Sequence, residues 1–391
     1  MALKTDEAFA LPDDAATATL VGRIWRPDRD GPSVVVVRGS ELVDISASAP
    51  TVRDLCEAPE PAALAKDLTG EPVGLLSAIL ANTPRDRRDP SRPWLLAPVD
   101  LQVVKAAGVT FAVSMLERVI EEKARGAPDQ AAAIRADIGA LIGDDLAKLK
   151  PGSPQAMELK ALLIDKGMWS QYLEVGIGPD AEVFTKAPVL AAVGHLAEVG
   201  VHPVSTWNNP EPEIVLVVNS RGQIVGAALG NDVNLRDVEG RSALLLGKAK
   251  DNNASAAIGP FIRLFDRGFS LDDVRQAEVG LTVEGEDGFR LNGSSAMSRI
   301  SRAPEDLVAA TIGRHHQYPD GFVLYLGTMF APVEDRGAKG QGFTHKTGDI
   351  VTIASPKLGR LSNRVVQSND AEPWTFGAAA LMRNLAKRGL I

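Results

Sequence analysis

Near the start of the chain, apolar residues come in three short runs, at 20–25, 33–37 and 42–45, each of strand length. Gly39-Ser40 stands between the last two and predicts a two-residue hairpin turn. Apolar spacing becomes helical over 52–68 and again over 114–125. In the second of these, Met115, Leu116, Val119 and Ile120 fall on one face and Glu117, Glu121, Glu122 and Lys123 on the other. Further helices are predicted over 127–168, with apolar stripes at 131–134 and 141–142. From 183 to 361 the pattern changes to short apolar runs (214–218, 224–229, 281–283, 322–326, 350–353) separated by Gly, Pro, Asn and Asp. Many short, punctuated strands predict a mainly β unit rich in hairpins. Residues 376–390 read as a closing helix.

A Pro-, Arg- and Asp-rich stretch at 82–93 interrupts the pattern and suggests a junction. The expected organisation is a small N-terminal α/β domain over residues 1–95 and a larger, mainly β domain over 96–391. The fold class is therefore α+β with a mainly β core. At 391 residues the chain is long enough for one large core or for two.

Composition narrows the function classes. Lys and Arg number 42 against 50 Asp and Glu, a formal charge of −8, so no basic footprint for nucleic acid exists. A single cysteine, Cys56, excludes an internal disulfide framework and a thiolate zinc cluster. The first residues lack a signal-peptide apolar core, and no apolar run reaches membrane-spanning length. The expectation is a cytoplasmic enzyme or binding protein, with no membrane and no nucleic acid among its partners.

The candidate chemistry lies at Asn208-Asn209-Pro210-Glu211-Pro212-Glu213, directly before the apolar run 214–218. Strand alternation sends Glu211 and Glu213 to one face, where two like charges repel unless a cation or a shared proton intervenes. Asp232 ends the next apolar run and reaches the same place if the two runs form a hairpin. Three carboxylates make an all-oxygen set suited to a hard cation such as Mg²⁺. The bland alternative is a solvated strand edge. Against it, Glu213 opens a strand apolar enough to be buried, and buried unpaired carboxylates are costly. Lys248 and Lys250 follow a predicted helix over 241–246 and enter a polar loop, where an ammonium could stand beside the carboxylates or grip a substrate oxygen. Glu182 and Lys186 flank an extended segment and read equally well as surface charges. His315-His316 are placed at a polar helix end and His345 in a loop, neither with metal-ligand spacing. No Ser-His-Asp arrangement, nucleotide-binding glycine loop or Walker-type lysine is present.

Taken together, Phe184-Thr185-Lys186, Glu211-Pro212-Glu213, Gly230-Asn231-Asp232, Lys250 before Gly259-Pro260, Leu326-Gly327-Thr328 and Gly348-Asp349-Ile350-Val351 resemble the fumarylacetoacetate hydrolase superfamily. Gly359 and Asn363 extend the match, which covers roughly residues 100–391. The resemblance implies a mixed β-roll fold that binds Mg²⁺ or Mn²⁺ through Glu211, Glu213 and Asp232. It also implies Lys250 as the active-site lysine, with Lys248 as its rival. Glu182 matches an acidic position near the metal in the dehydratase branch.

Residues 108–114, followed by Glu117-Arg118, resemble that branch, the sugar-acid dehydratases. The implied reaction takes a 2-keto-3-deoxy sugar acid, 2-keto-3-deoxy-D-xylonate in the nearest likeness, to 2,5-dioxopentanoate and water. Lys250 would then stabilise an enolate or move a proton, Glu182 would act as acid or base, and Ser114 and Thr328 would contact substrate oxygens. The alternative is a hydrolase cleaving a β-diketone or acylpyruvate C–C bond on the same platform. It is weakened because residues 110–126 contain no His to activate water. The resemblance further implies a homodimer or homotetramer.

Overall fold

The computed structural model describes residues 2–124, 149–165, 167, 169–330, 332–336 and 342–391. The strands, in chain order, are β1 (Leu20–Arg26), β2 (Gly31–Arg38), β3 (Glu41–Asp44), β4 (Glu71–Leu75), β5 (Trp94–Leu96), β6 (Val103–Gly108), β7 (Glu182–Ala187) and β8 (Glu198–Val201). They continue as β9 (Pro212–Val218), β10 (Ile224–Asp232), β11 (Ala256–Leu264), β12 (Glu278–Glu284), β13 (Arg290–Ala296), β14 (Phe322–Tyr325), β15 (Ile350–Ser355) and β16 (Gly359–Gln367).

Among the described residues, eleven strands form one sheet in the order β4-β3-β2-β1-β11-β10-β9-β14-β6-β7, with β5 paired to β1. A second sheet of five runs β13-β12-β15-β16-β8. Pairing is antiparallel except between β14 and β6 and between β16 and β8.

Strand β9 shows why this sequence builds this core. Ile214, Leu216 and Val218 enter one apolar cluster with Leu281, Ile353 and Leu361 of the second sheet. Val215 and Val217, alternating with them, enter another cluster with Val52, Leu55, Ala62 and Ala65. Those last four belong to the helices Val52–Cys56 and Pro61–Asp67 on the opposite face. A strand covered on both faces reads as an unbroken apolar run.

The predicted hairpin at Gly39-Ser40 is present: Arg38 pairs with Glu41, and Gly39 takes the positive φ of 60° that the tight turn requires. The helix predicted over 52–68 is two helices, divided around Pro59 and restarting with Pro61 in its first turn. The helix at 114–125 is found as Ala112–Lys123, and the closing helix as Ala378–Lys387. The helix predicted over 241–246 is displaced. A short 3₁₀ turn, Ala243–Leu245, leads into the helix Leu246–Lys250. Of the helices predicted over 127–168, Pro154–Asp165 is observed, whereas the apolar stripes at 131–134 and 141–142 lie outside the described residues. His315 and His316 are not at a helix end, because that helix stops at Thr311 and the pair sits in the turn closed by Gly313 and His316.

The proposed junction at residue 95 does not coincide with a break in the sheet. Strand β1 pairs with β11, Leu20 opposite Arg263, so the N-terminal strands extend the sheet that carries β9 and β10. No helix among the described residues is long and apolar enough to cross a membrane.

Candidate metal centre and active-site pocket

Strands β9 and β10 form the hairpin that gathers the carboxylates. Gly230 lies opposite Glu213, and the Asp232 N–H donates to the Glu211 carbonyl at 3.1 Å. Glu211, Glu213 and Asp232 are all buried, and one carboxylate oxygen from each lies within 4.8 Å of the others. They line one pocket with Arg118, Glu182, Phe184, Glu239, Lys250 and Thr328.

Lys250 spans two of the three, with Nζ 2.5 Å from Glu211 Oε2 and 3.1 Å from Asp232 Oδ2. Burial works against its ammonium, but Asp232 and Glu211 outweigh that and raise its pKa, so Lys250 stays charged. Lys186 Nζ lies 2.8 Å from Asp232 Oδ1 and is held there by the Val233 carbonyl at 3.0 Å and the Ser255 hydroxyl at 3.3 Å. Burial disfavours the Asp232 charge, yet Lys186 and Lys250 hold its pKa below the usual value. Arg118 holds the other oxygen of Glu211, Oε1, and its Nη1 stands 3.2 Å from Glu239 Oε2.

Glu213 is different. Its Oε2 accepts the Gly327 N–H at 2.7 Å. Burial, with Asp232 and Glu211 nearby, pushes its carboxyl well above the ordinary carboxylate range. Gly327 makes this bond from a positive φ of 96°, where an added Cβ would stand 2.1 Å from Thr110 Oγ1. Glu182 is pushed up to about 7, first by burial and then by the charge of Glu239.

These residues fit a divalent cation. Among the described residues, five carboxylates (Glu182, Glu211, Glu213, Asp232 and Glu239) face three cations (Lys186, Lys250 and Arg118) in one buried space. Two carboxyls, Glu182 and Glu213, carry the cost of that imbalance as raised pKa values. A hard doubly charged ion on an all-oxygen set would cancel the excess.

The structure thus brings Glu211, Glu213, Asp232, Lys250, Glu182 and Thr328 together at one pocket. The Thr328 hydroxyl donates to the Phe330 carbonyl at 2.8 Å. Lys248 is exposed and Lys250 buried, which separates the two rivals. Ser114 lies in the helix Ala112–Lys123, but its side chain is outside the described residues. His345 is absent from the pocket lining. Its Nδ1 faces Asp349 Oδ2 at 3.4 Å, and it lines a separate cavity with His202 and Asn208.

Lys186, read from the sequence as a possible surface charge, is instead fully buried. Residues 182, 184 and 186 alternate on β7, so Glu182, Phe184 and Lys186 share a face; that alternation was the available signal. Arg118 and Glu239 were missed as pocket residues: Arg118 entered only through the Glu117-Arg118 pair of the dehydratase resemblance, and no local pattern marks Glu239. Val109, on the pocket lining, holds φ at 57°, an outlier for a β-branched residue.

Residues 173–366 match the family described as fumarylacetoacetate (FAA) hydrolase C-terminal, and that part of the chain is a domain of this family. The chain is 31% identical over 201 residues to a probable 2-keto-3-deoxyxylonate dehydratase of Haloferax volcanii, a match covering 51% of this chain and 65% of the relative. It is also 31% identical over 180 residues to 2-dehydro-3-deoxy-D-arabinonate dehydratase of Saccharolobus solfataricus, covering 46% of this chain and 57% of the relative. The chain therefore matches somewhat under two thirds of each relative's length.

Its fold is that of 2-keto-3-deoxy-D-arabinonate dehydratase. The TM-score to the apo form is 0.61 at 20% identity, covering 89% of this chain and 99% of that one. For the form complexed with magnesium and 2,5-dioxopentanoate it is 0.59 at 19% identity, over the same shares.

Proposed function

We propose that this protein is a divalent-metal-dependent dehydratase of 2-keto-3-deoxypentonates. On this reading it converts 2-keto-3-deoxy-D-xylonate to 2,5-dioxopentanoate and water. One observation carries the reading: three buried carboxylates within 4.8 Å, two of them spanned by a buried ammonium, in a pocket that also holds a carboxyl raised to about 7. Support comes from the two dehydratase relatives and from the similar fold whose complex contains magnesium and 2,5-dioxopentanoate.

Glu211, Glu213 and Asp232 would hold Mg²⁺ or Mn²⁺. When bound, such an ion supplies Lewis-acid polarisation of a 2-oxo acid, making the C3–H acidic. Lys250, fixed as an ammonium, supplies positive charge where negative charge develops on the substrate, and so serves as a stabiliser rather than a base. Glu182, raised to about 7, can accept or give a proton near neutral pH and suits transfer to the departing C4 hydroxyl. Loss of the C3 proton and the C4 hydroxyl leaves a C3=C4 double bond conjugated to the ketone; loss of a C5 proton with return of one to C3 moves it to the C4–C5 enol, which tautomerises to the C5 aldehyde with no net change in oxidation level. Thr328, on the lining, offers a hydroxyl oxygen to the substrate.

The test is incubation of purified protein and Mg²⁺ with 2-keto-3-deoxypentonates of both C4 configurations, assayed for the five-carbon aldehyde. Turnover of the D compound, which D-xylonate and D-arabinonate both yield because only C4 remains a stereocentre, supports the full proposal; turnover of the L compound alone reassigns the substrate. Cleavage of an acylpyruvate into two carbon fragments, with no aldehyde from either pentonate, overturns the dehydratase reading.

A further inference from the structure

The strand face that carries Glu211 and Glu213 continues as Val215 and Val217, which belong to the apolar cluster shared with the helices Val52–Cys56 and Pro61–Asp67. Phe184 packs against that same cluster and also lines the carboxylate pocket. Its ring therefore stands where an apolar face gives way to a charged one. Among the described residues, the other apolar side chains on the lining are Ala107 and Val109. Both are buried in other core clusters, whereas Phe184 is half-buried. Lys250 Nζ lies over the ring, 5.8 Å from its centroid. Glu182 precedes Phe184 by two residues on β7 and shares its face. Phe184 thus flanks the space between the ammonium and the Glu182 carboxyl.

We propose that Phe184 selects a 3-deoxy substrate by presenting a bare ring to C3. The inference rests on the function proposed above, in which Lys250 serves the 2-oxo acid end and Glu182 the C4 hydroxyl. C3 is the carbon between those two ends. A methylene there buries apolar surface against the ring. A hydroxyl pointing at the ring gives up water and gains no partner, because a phenyl group has no ordinary hydrogen-bonding atom. Only the C3 epimer whose hydroxyl faces the ring is rejected in this way. The rejection is bounded, since an apolar wall turns away an added hydroxyl by about 10²-fold at most. Phe184 moves no proton; it determines specificity.

Calorimetry with 2-oxopentanoate and with each enantiomer of 3-hydroxy-2-oxopentanoate, on protein supplied with Mg²⁺, tests it. None of these ligands has the C4 hydroxyl whose loss completes the reaction, so affinity is read without turnover. In the wild type, one enantiomer is expected to bind on the order of 10- to 100-fold more weakly than 2-oxopentanoate. Phe184→Leu keeps an apolar wall and should keep that gap within about twofold. Phe184→Asn offers the hydroxyl a partner and should narrow the gap by about fivefold or more, the worth of one ordinary hydrogen bond. Should Phe184→Asn fail to fold, Phe184→His replaces it, because its ring carries polar atoms. A gap unchanged in the polar variant, or lost in Phe184→Leu, overturns the assignment. Wild-type protein that neither binds 2-oxopentanoate nor dehydrates a 2-keto-3-deoxypentonate overturns the proposed function and this inference together. Dehydration by a wild type that binds all three ligands within about twofold of one another overturns only the role of Phe184.

Discussion

Gly108 lies opposite Glu182 in the pairing of β6 with β7, and a Cβ built at Gly108 would stand 1.9 Å from Glu182 Oε2. The missing side chain of one strand is therefore the space that the carboxyl of the other occupies. Both residues line the pocket, so this gap sets where Glu182 points.

Gly108→Ala should cost little stability, since the atom displaced is the flexible end of a side chain. It should, however, turn the Glu182 carboxyl away from the pocket. If Glu182 moves a proton in the reaction, kcat falls by about 10²-fold or more, while Mn²⁺ affinity stays within about twofold. The checks are steady-state kinetics, calorimetry and a melting curve. Unchanged kcat would remove Glu182 from the chemistry.

The two lysines of the helix Leu246–Lys250 separate cleanly by burial. Lys248→Ala alters an exposed residue and should leave activity and melting temperature as in the wild type. Lys250→Met removes the ammonium spanning Glu211 and Asp232, and should abolish turnover of the 2-keto-3-deoxypentonate. A product assay on both variants settles the matter. An inactive Lys248→Ala beside an active Lys250→Met would mean that the loop is wrongly read.

The carboxylate set was legible in the sequence because it depends on local geometry. Glu211 and Glu213 alternate onto one face, and Asp232 arrives by a single hairpin. The run 214–218 likewise announced a buried strand. What local pattern does not carry is which distant element closes over the site. Arg118 reaches Glu211 across 93 residues of chain, from a helix whose amphipathic pattern and Glu117-Arg118 pair do not say what it faces. Glu239 comes from the four-residue helix Arg236–Glu239, too short for periodicity to show. Lys186 was ambiguous because its charge suggested the surface, and burial became evident only when Asp232, Val233 and Ser255 were placed around it. The stretch at 82–93 reads as a junction by composition alone, whereas the pairing of β1 with β11, which joins the strands on either side of it, is not legible, because nothing within β1 specifies its neighbour.

Asp14 ties the N-terminal segment to β11 through the buried Arg263, with oxygens 2.5 and 2.8 Å from the guanidinium, and through Lys357 at 3.0 Å. The Arg263 hydrogen bond is the main cause that lowers the Asp14 carboxyl from 3.8 to about 2. A folded-state pKa below the unfolded one gives stability that is complete above pH ~4. It is lost as pH falls through about 2. Asp14→Asn should therefore be less stable than wild type by about 2 kcal/mol at neutral pH, with the difference closing toward pH 2. Urea midpoints of both proteins across that range give the answer. A difference that stays constant with pH would mean that the carboxylate charge is not what holds the segment.

Cys56 offers an independent probe of opening. Burial, with Asp100 and Glu57 nearby, pushes its thiol far above the usual range, so the reactive thiolate is suppressed in the folded protein. A thiol reagent at pH 8 should label it only as fast as the protein opens, and labelling should be complete in denaturant. Prompt stoichiometric reaction of the native protein would contradict that burial.

Lys186→Met tests the charge balance of the site directly. The substitution removes a fully buried ammonium from Asp232 and leaves that carboxylate with only Lys250 to share with Glu211. Stranding one partner of a buried pair costs about 3–5 kcal/mol, so the metal-free variant should melt well below the wild type. A divalent cation replaces the missing charge. Mn²⁺ at a hundred times its Kd adds about 2.7 kcal/mol, and the melting temperature should rise more steeply with Mn²⁺ than the wild type's does. Lys186→Met with Asp232→Asn removes both charges, and should regain metal-free stability while losing the response to Mn²⁺. If the double variant were no more stable than Lys186→Met alone, the loss would come from packing around the lysine stem, and the electrostatic account of the site would not stand.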